Sequence, residues 1–214
     1  MRLRLVLGVA LLAVAGALVL DMSGRAPRQA GSDHISPAVF AATLPAGGLV
    51  CQPAPFLPGD AGRAQLLIGT YGRPAPALRL SFLDAAGAEV ASGSLPAGAS
   101  EGSIVIPFSR VRGAPEAASV CLRVGGSSKV VLGGEGGPVN PTSEVVDKTP
   151  QPGRISLIYL RHGRESWWQL LGVLSQRFGL GKASFFGDWT LAFCAVLLLC
   201  VWVGTIRLLL RELA

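Results

Sequence analysis

Few side chains in this sequence are suited to acid–base, nucleophilic or metal chemistry. There are two histidines, four cysteines and thirteen carboxylates among 214 residues. A zinc site takes four protein ligands, or three and a water. Neither His34 nor His162 has a second histidine, a cysteine or an HExxH pattern beside it. No GxSxG elbow offers an activated serine. The glycine-rich Gly133–Gly137 lacks the Lys-Ser/Thr pair with which a phosphate-binding loop ends. His162, in Arg161-His162-Gly163-Arg164-Glu165, reads as a solvated turn residue, and Pro58–Arg63 as a plain polar turn. Its one carboxylate, Asp60, is too few for calcium, which takes six to eight oxygens. The sequence therefore predicts no catalytic residue, no metal site and no cofactor.

The cysteines carry a different chemistry. Cys51 and Cys121 each sit in a strand-like stretch, Leu49-Val50-Cys51 and Val120-Cys121-Leu122. In an oxidising compartment such a pair is expected to bridge, the alternative being two buried free thiols. The bridge would close a loop of about 70 residues, for which chain entropy gives roughly 4 kcal/mol. Cys194 and Cys200 lie within an apolar run and read as small packing or lipid-facing residues.

Two apolar runs must position whatever lies between them. Leu5 to Leu20 follows Arg2 and Arg4, so residues 1–20 read as a signal anchor or a signal peptide. Trp189 to Ile206 carries no charge and is followed by Arg207 and Arg211, so residues 189–208 read as a transmembrane helix. Trp189 and Trp202 would sit at the interfaces as aromatic anchors. Both tails are short and basic, which assigns 209–214 to the cytoplasm and the long middle to the far side of a cell membrane. The formal charge is +6. Setting aside Arg2, Arg4, Arg207, Arg211 and Glu212 leaves 15 cations against 12 anions in the middle, or +3. Those cations are scattered rather than clustered, which argues against nucleic acid as a partner.

Residues 21–48 show no sustained period and read as a flexible linker rich in Pro, Gly, Ser and Ala. From 49 to 160 the pattern alternates every two residues: Leu78, Leu80 and Phe82; Ile104, Ile106 and Phe108; Val120, Leu122 and Val124; Ile155, Leu157 and Tyr159. Seven or eight short strands between turns predict an all-β sandwich, Ig-like or jelly-roll-like. The stretch 133–152 is too poor in apolar residues for a core and reads as a long loop or edge excursion. Residues 163–181 then predict an amphipathic juxtamembrane helix. Ser166 and Gln169 have capping-box spacing, and Trp167, Leu170, Leu171, Leu174 and Phe178 share one face. With Trp167 and Trp168 as anchors, that face would lie in the membrane interface, or pack on a partner or on the sandwich.

Three stretches, Val50-Cys51-Gln52, Val105-Ile106-Pro107-Phe108 and Val120 through Gly126, resemble carbohydrate-binding-like β-sandwich modules of bacterial envelope glycan-assembly membrane proteins. The resemblance covers about 50–135. It implies a non-catalytic envelope module whose partners are the membrane, another envelope membrane protein and a surface glycan. No sugar-binding residue carries over with it. The functional expectation is an accessory or binding module of cell-surface glycan or envelope assembly machinery. The alternatives are a structural subunit of a multi-pass complex, or an envelope enzyme with a site of unfamiliar pattern.

Overall fold

The computed structural model describes residues 2–54, 57–109, 117–139, 145–178 and 188–212. They fall into two compact units, Pro27–Gly163 and a second made of Met1–Ala26 with Arg164–Ala214.

The first unit is almost entirely β. In chain order its strands are β1 (Ala26–Ser32), β2 (Val39–Leu44), β3 (Leu49–Pro53), β4 (Ala61–Gly69), β5 (Leu78–Asp84), β6 (Glu89–Leu95), β7 (Gly102–Pro107), β8 (Ala117–Val124), β9 (Val130–Glu135), β10 (Val145–Val146), β11 (Thr149–Pro150), β12 (Arg154–Ile155) and β13 (Ile158–Glu165). They form two antiparallel sheets. One runs β11-β10-β3-β8-β5-β6. The other runs β1-β13-β4-β9-β12, with β2 also on β9 and β7 also on β4. The alternation read from the sequence supplies the core: Leu78, Leu80, Phe82, Ile106, Val120, Leu122, Val124, Ile155, Leu157 and Tyr159 are all buried. Phe82 packs on Phe108 at a centroid distance of 4.8 Å and on Tyr159 at 6.1 Å. Burial pushes the Tyr159 hydroxyl far above its ordinary pKa, with the nearby Asp33 charge adding to it.

One polar bridge crosses between the sheets. Gln52 in β3 is 2% exposed. Its Nε2 donates to the Ile155 carbonyl at 2.9 Å, and its Oε1 accepts from the Ile155 N–H at 2.8 Å. The amide thus stands in for a neighbouring strand at β12. Asp33, just after β1, accepts from the Leu157 N–H at 2.9 Å and the Ile35 N–H at 3.1 Å. Burial raises the Asp33 pKa, against the lowering pull of those N–H groups and of Arg154.

The second unit contains the three helices of the described residues, α1 (Arg2–Ser23), α2 (Trp167–Phe178) and α3 (Asp188–Glu212). α2 begins with the capping box read at Ser166: its N–H donates to Gln169 Oε1 at 2.9 Å, and the Gln169 N–H donates to Ser166 Oγ at 3.4 Å. Within α3, Ala192–Leu209 is long and apolar enough to cross a membrane.

Several expectations need correction. A membrane-spanning helix at the N-terminus is not supported. Among the described residues, the apolar helical stretch there is Gly8–Ser23, shorter than a span. At 1.5 Å per residue its 16 residues reach about 24 Å, against a hydrocarbon core of about 30 Å. Residues 21–48 are not a linker, because α1 runs on to Ser23 and β1 and β2 belong to the sheet. The β unit accordingly spans 27–163 rather than 49–160. Gly133 and Gly134 are strand residues, not loop: Phe40 and Val39 stand opposite them. A Cβ on Gly134 would lie 2.0 Å from the Arg154 carbonyl, and one on Gly133 2.8 Å from Leu67. Close approach demands glycine there and removes the apolar side chains by which a strand is read. Residues 163–165 continue β13, so α2 starts at Trp167 rather than 163. The expected helix end at 179–181 lies outside the described residues. α3 continues to Glu212, through most of the segment read as a tail.

Candidate functional site

Register places three loops at one end of the sandwich. Leu78 pairs with both Leu95 and Val124, Ile68 pairs with Gly102, and Gly69 pairs with Val131. The β4–β5, β6–β7 and β8–β9 connections therefore lie side by side. Backbone hydrogen bonds knit them: Ala75 N–H to Ala99 O and Gly98 N–H to Ala75 O, both 2.8 Å, and Gly125 N–H to Ala77 O at 2.7 Å. Between them lies an open concavity of about 590 Å³ lined by Arg73–Ala77, Ala97, Gly98 and Gly126–Ser128. A second hollow of about 260 Å³ adjoins it and is lined by Thr70, Tyr71, Arg73, Ser128 and Lys129.

The turn at its rim is strained. The Arg73 N–H donates to Thr70 O at 3.3 Å, and Tyr71 and Gly72 both have positive φ, 57° and 74°. Two central residues at positive φ make a type I′ turn, which suits glycine and asparagine and costs an aromatic residue steric energy. Glu101 holds the turn by accepting from the Thr70 N–H at 3.2 Å and the Gly72 N–H at 3.1 Å. Those N–H groups, Gly72 first, hold its carboxyl below the usual range. The result presents the Tyr71 ring to solvent, 62% exposed, with Lys129 Nζ 4.5 Å from its centroid. An exposed ring flanked by Lys129, Arg73 and the Ser128 hydroxyl can stack on a flat ligand face and donate hydrogen bonds to its oxygens. Backbone strain concentrates where function needs a side chain held in place.

The residues singled out from the sequence lie elsewhere. Cys51 and Cys121 are bonded to each other, directly opposite across β3 and β8. Val50, Gln52, Val120 and Leu122 point inward, so the bridge lies on the outer face of that sheet. On α2, Trp167, Trp168, Leu171 and Leu174 are exposed, whereas Leu170 is 6% exposed. Leu170 is thus the covered residue of a face whose other described members are exposed. Trp168 Nε1 donates to Ser23 Oγ at 3.1 Å. Phe178 closes α2, and its side chain lies outside the described atoms. Trp189 and Trp202 are exposed on α3, as are Cys194 and Cys200. His162 is exposed but stands in β13 rather than a turn, its ring over Gly62. Asp60 is paired with Arg161. Among the described residues no group of three or more His, Cys, Asp or Glu gathers to hold a metal.

Sequence reasoning missed Tyr71, Arg73, Glu101 and Lys129. The signal available was Thr70-Tyr71-Gly72-Arg73-Pro74, an aromatic residue next to a glycine in a chain break.

No family model matches the chain, and no curated protein is similar to it. Among solved structures, the crystal structure of FlgD from P. aeruginosa is similar over 56% of this chain and 76% of its own. The identity is 14% and the TM-score 0.22, a likeness too slight to bear on fold or function.

Proposed function

We propose that this chain is a non-catalytic, membrane-anchored envelope protein. Its β unit, an Ig-like or jelly-roll-like sandwich, is held outside the cytoplasmic membrane and serves as a glycan-binding accessory module of cell-surface glycan or envelope assembly machinery. The observation that carries the binding role is Tyr71, a bulky ring kept at φ 57° by Glu101 and exposed beside Lys129. Export is supported by the Cys51–Cys121 bridge, because such bonds persist in oxidising compartments. Anchoring is supported by Ala192–Leu209, with Trp189 and Trp202 as interface residues and the end of α3 in the cytoplasm.

The test is Tyr71→Gly in the full chain, held in neutral-lipid nanodiscs and titrated with oligosaccharides released from the host cell surface. Removing the ring abolishes binding, while relief of the positive φ raises stability by about 1 kcal/mol. Unchanged oligosaccharide affinity overturns the reading.

A second reading, a structural subunit of a multi-pass complex, is favoured by the exposed apolar face of α2. Trp167→Ala with Trp168→Ala separates the two. Under the first reading, partners stop co-purifying while glycan binding persists. Under the second, partners are lost from a chain that binds no glycan.

A further inference from the structure

The outer face of the β3-β8-β5-β6 sheet can be read row by row from its register. One row is Leu49, Arg123, Arg79 and Ser94; the next is Cys51, Cys121, Ser81 and Ser92. Arg79 and Arg123 stand directly opposite each other on neighbouring antiparallel strands. Side chains so placed have Cβ atoms about 5 Å apart, and like charges there are destabilising. Among the described residues, one carboxylate forms an ion pair with these two arginines, that of Glu89. Glu89 stands opposite Leu83, four residues along β5 from Arg79, so the Arg79 side chain must run along the strand to reach it, at 3.3 Å. Both groups of that ion pair are well exposed to solvent. Arg123 is exposed and has no hydrogen-bond or ion-pair partner among the described residues.

Two shallow depressions flank the pair. One, about 300 Å³, is lined by Arg79 and Arg123 with Ala77, Ser94, Pro96 and Gly125 among its walls. The other, about 190 Å³, is lined by Arg79 and Arg123 with Leu49, Ser81, Leu83 and Cys121. The two arginines are the residues common to both. A continuous shallow track thus passes over two guanidinium groups, with serine hydroxyls and apolar patches on either side. Guanidinium groups present forked N–H donors that match carboxylate and phosphate oxygens.

We propose that Arg79 and Arg123 form a binding site for an oxyanion carried on a chain molecule, a carboxylate- or phosphate-bearing oligosaccharide lying along this face. The site adjoins the loop concavity, with which it shares Ala77, but its cations are Arg79 and Arg123, whereas Arg73 and Lys129 line the loop end. The bound oxyanion neutralises the like-charge pair, and Glu89 is its internal competitor for Arg79. Two opposite effects follow: removing Arg123 weakens binding, and removing the Glu89 charge strengthens it.

The experiment uses the full chain in neutral phosphatidylcholine nanodiscs, titrated calorimetrically with trigalacturonate, inorganic phosphate and the neutral maltotriose. Trigalacturonate binding is expected to weaken steeply from 50 to 300 mM NaCl, as exposed charge pairs do. Arg123→Gln and Arg79→Gln are each expected to weaken it at least tenfold, and Glu89→Gln to tighten it severalfold. Lys148→Gln, a charge change in the β10–β11 turn at the edge of the same sheet, weakens it far less than either arginine change. Phosphate binding with the same pattern across the variants assigns a phosphate-bearing ligand instead of a uronate. Without ligand, Arg123→Gln melts at or above the wild-type temperature, because a repulsion has been removed. The proposal fails if neither anion binds, if maltotriose binds the Tyr71→Gly variant as well as trigalacturonate does, or if Glu89→Gln weakens binding. It also fails if Lys148→Gln weakens binding as much as Arg123→Gln, or if Arg123→Gln melts below wild type.

Discussion

At the Gln52 side chain, two hydrogen bonds do the work that a whole strand neighbour does elsewhere. The N–H and C=O of Ile155 are buried, and the Gln52 amide satisfies both. Leucine at this position keeps the volume but orphans two backbone groups, each costing about 1–3 kcal/mol. Gln52→Leu is therefore expected to lower stability by roughly 2 kcal/mol or more, read from chemical denaturation of the full chain in detergent. Asp33 gives a pH signature of definite sign. Its pKa in the fold is raised above the ordinary carboxyl value, because burial outweighs its hydrogen bonds and Arg154. The folded state then holds its proton more tightly than the unfolded chain. This contribution to stability is fully present below about pH 4 and is lost as pH rises through the folded pKa. Asp33→Asn removes that dependence: the stability difference between wild type and variant shifts against wild type as pH climbs from 3 to 7. A difference that moves the other way refutes the assignment. Neither residue was legible as a polar bridge. Gln52 sits at an inward position of an apolar strand, where a sequence pattern shows only an interruption.

At the scale of elements, the legible parts were those whose signal is local. The capping box at Ser166 and Gln169 formed as its spacing predicts, since it depends on four consecutive residues. Ser166→Ala is expected to cost about 1 kcal/mol and to speed amide hydrogen exchange through the first turn of α2. Equal exchange rates in wild type and variant would show that the cap does not hold the helix. The strands of the apolar alternation, β5, β7 and β8 among them, were legible for the same reason. β1 and β2 were not, because what makes them strands is distant. β2 is ordered by β9, some ninety residues later, and there two glycines replace the side chains that would have announced a strand. The loop concavity was invisible for a related reason. It is assembled from three connections that register alone brings to one end, and its key side chain sits where the local pattern stops.

For the whole chain, the two-unit division follows composition: a β unit whose apolar residues face one another, and a helical unit whose apolar residues face outward. α3 leaves Val196, Leu198, Leu199, Val201 and Trp202 exposed along the window that is long enough to cross a membrane. Water would not tolerate that surface without a covering phase. The protein is expected to stay in the pellet when membranes are washed with alkaline carbonate, and to enter the supernatant when residues 188–214 are removed. Release of the intact chain by carbonate would overturn the anchor. The bridge between Cys51 and Cys121 has a consequence of another kind. It encloses every residue from β4 through β7, strands that serve both sheets. A protease that nicks the backbone anywhere inside that ring, including its exposed turns, leaves two pieces still joined by sulfur. Such damage is silent on a non-reducing gel, and the fragments part only when a thiol reductant is added.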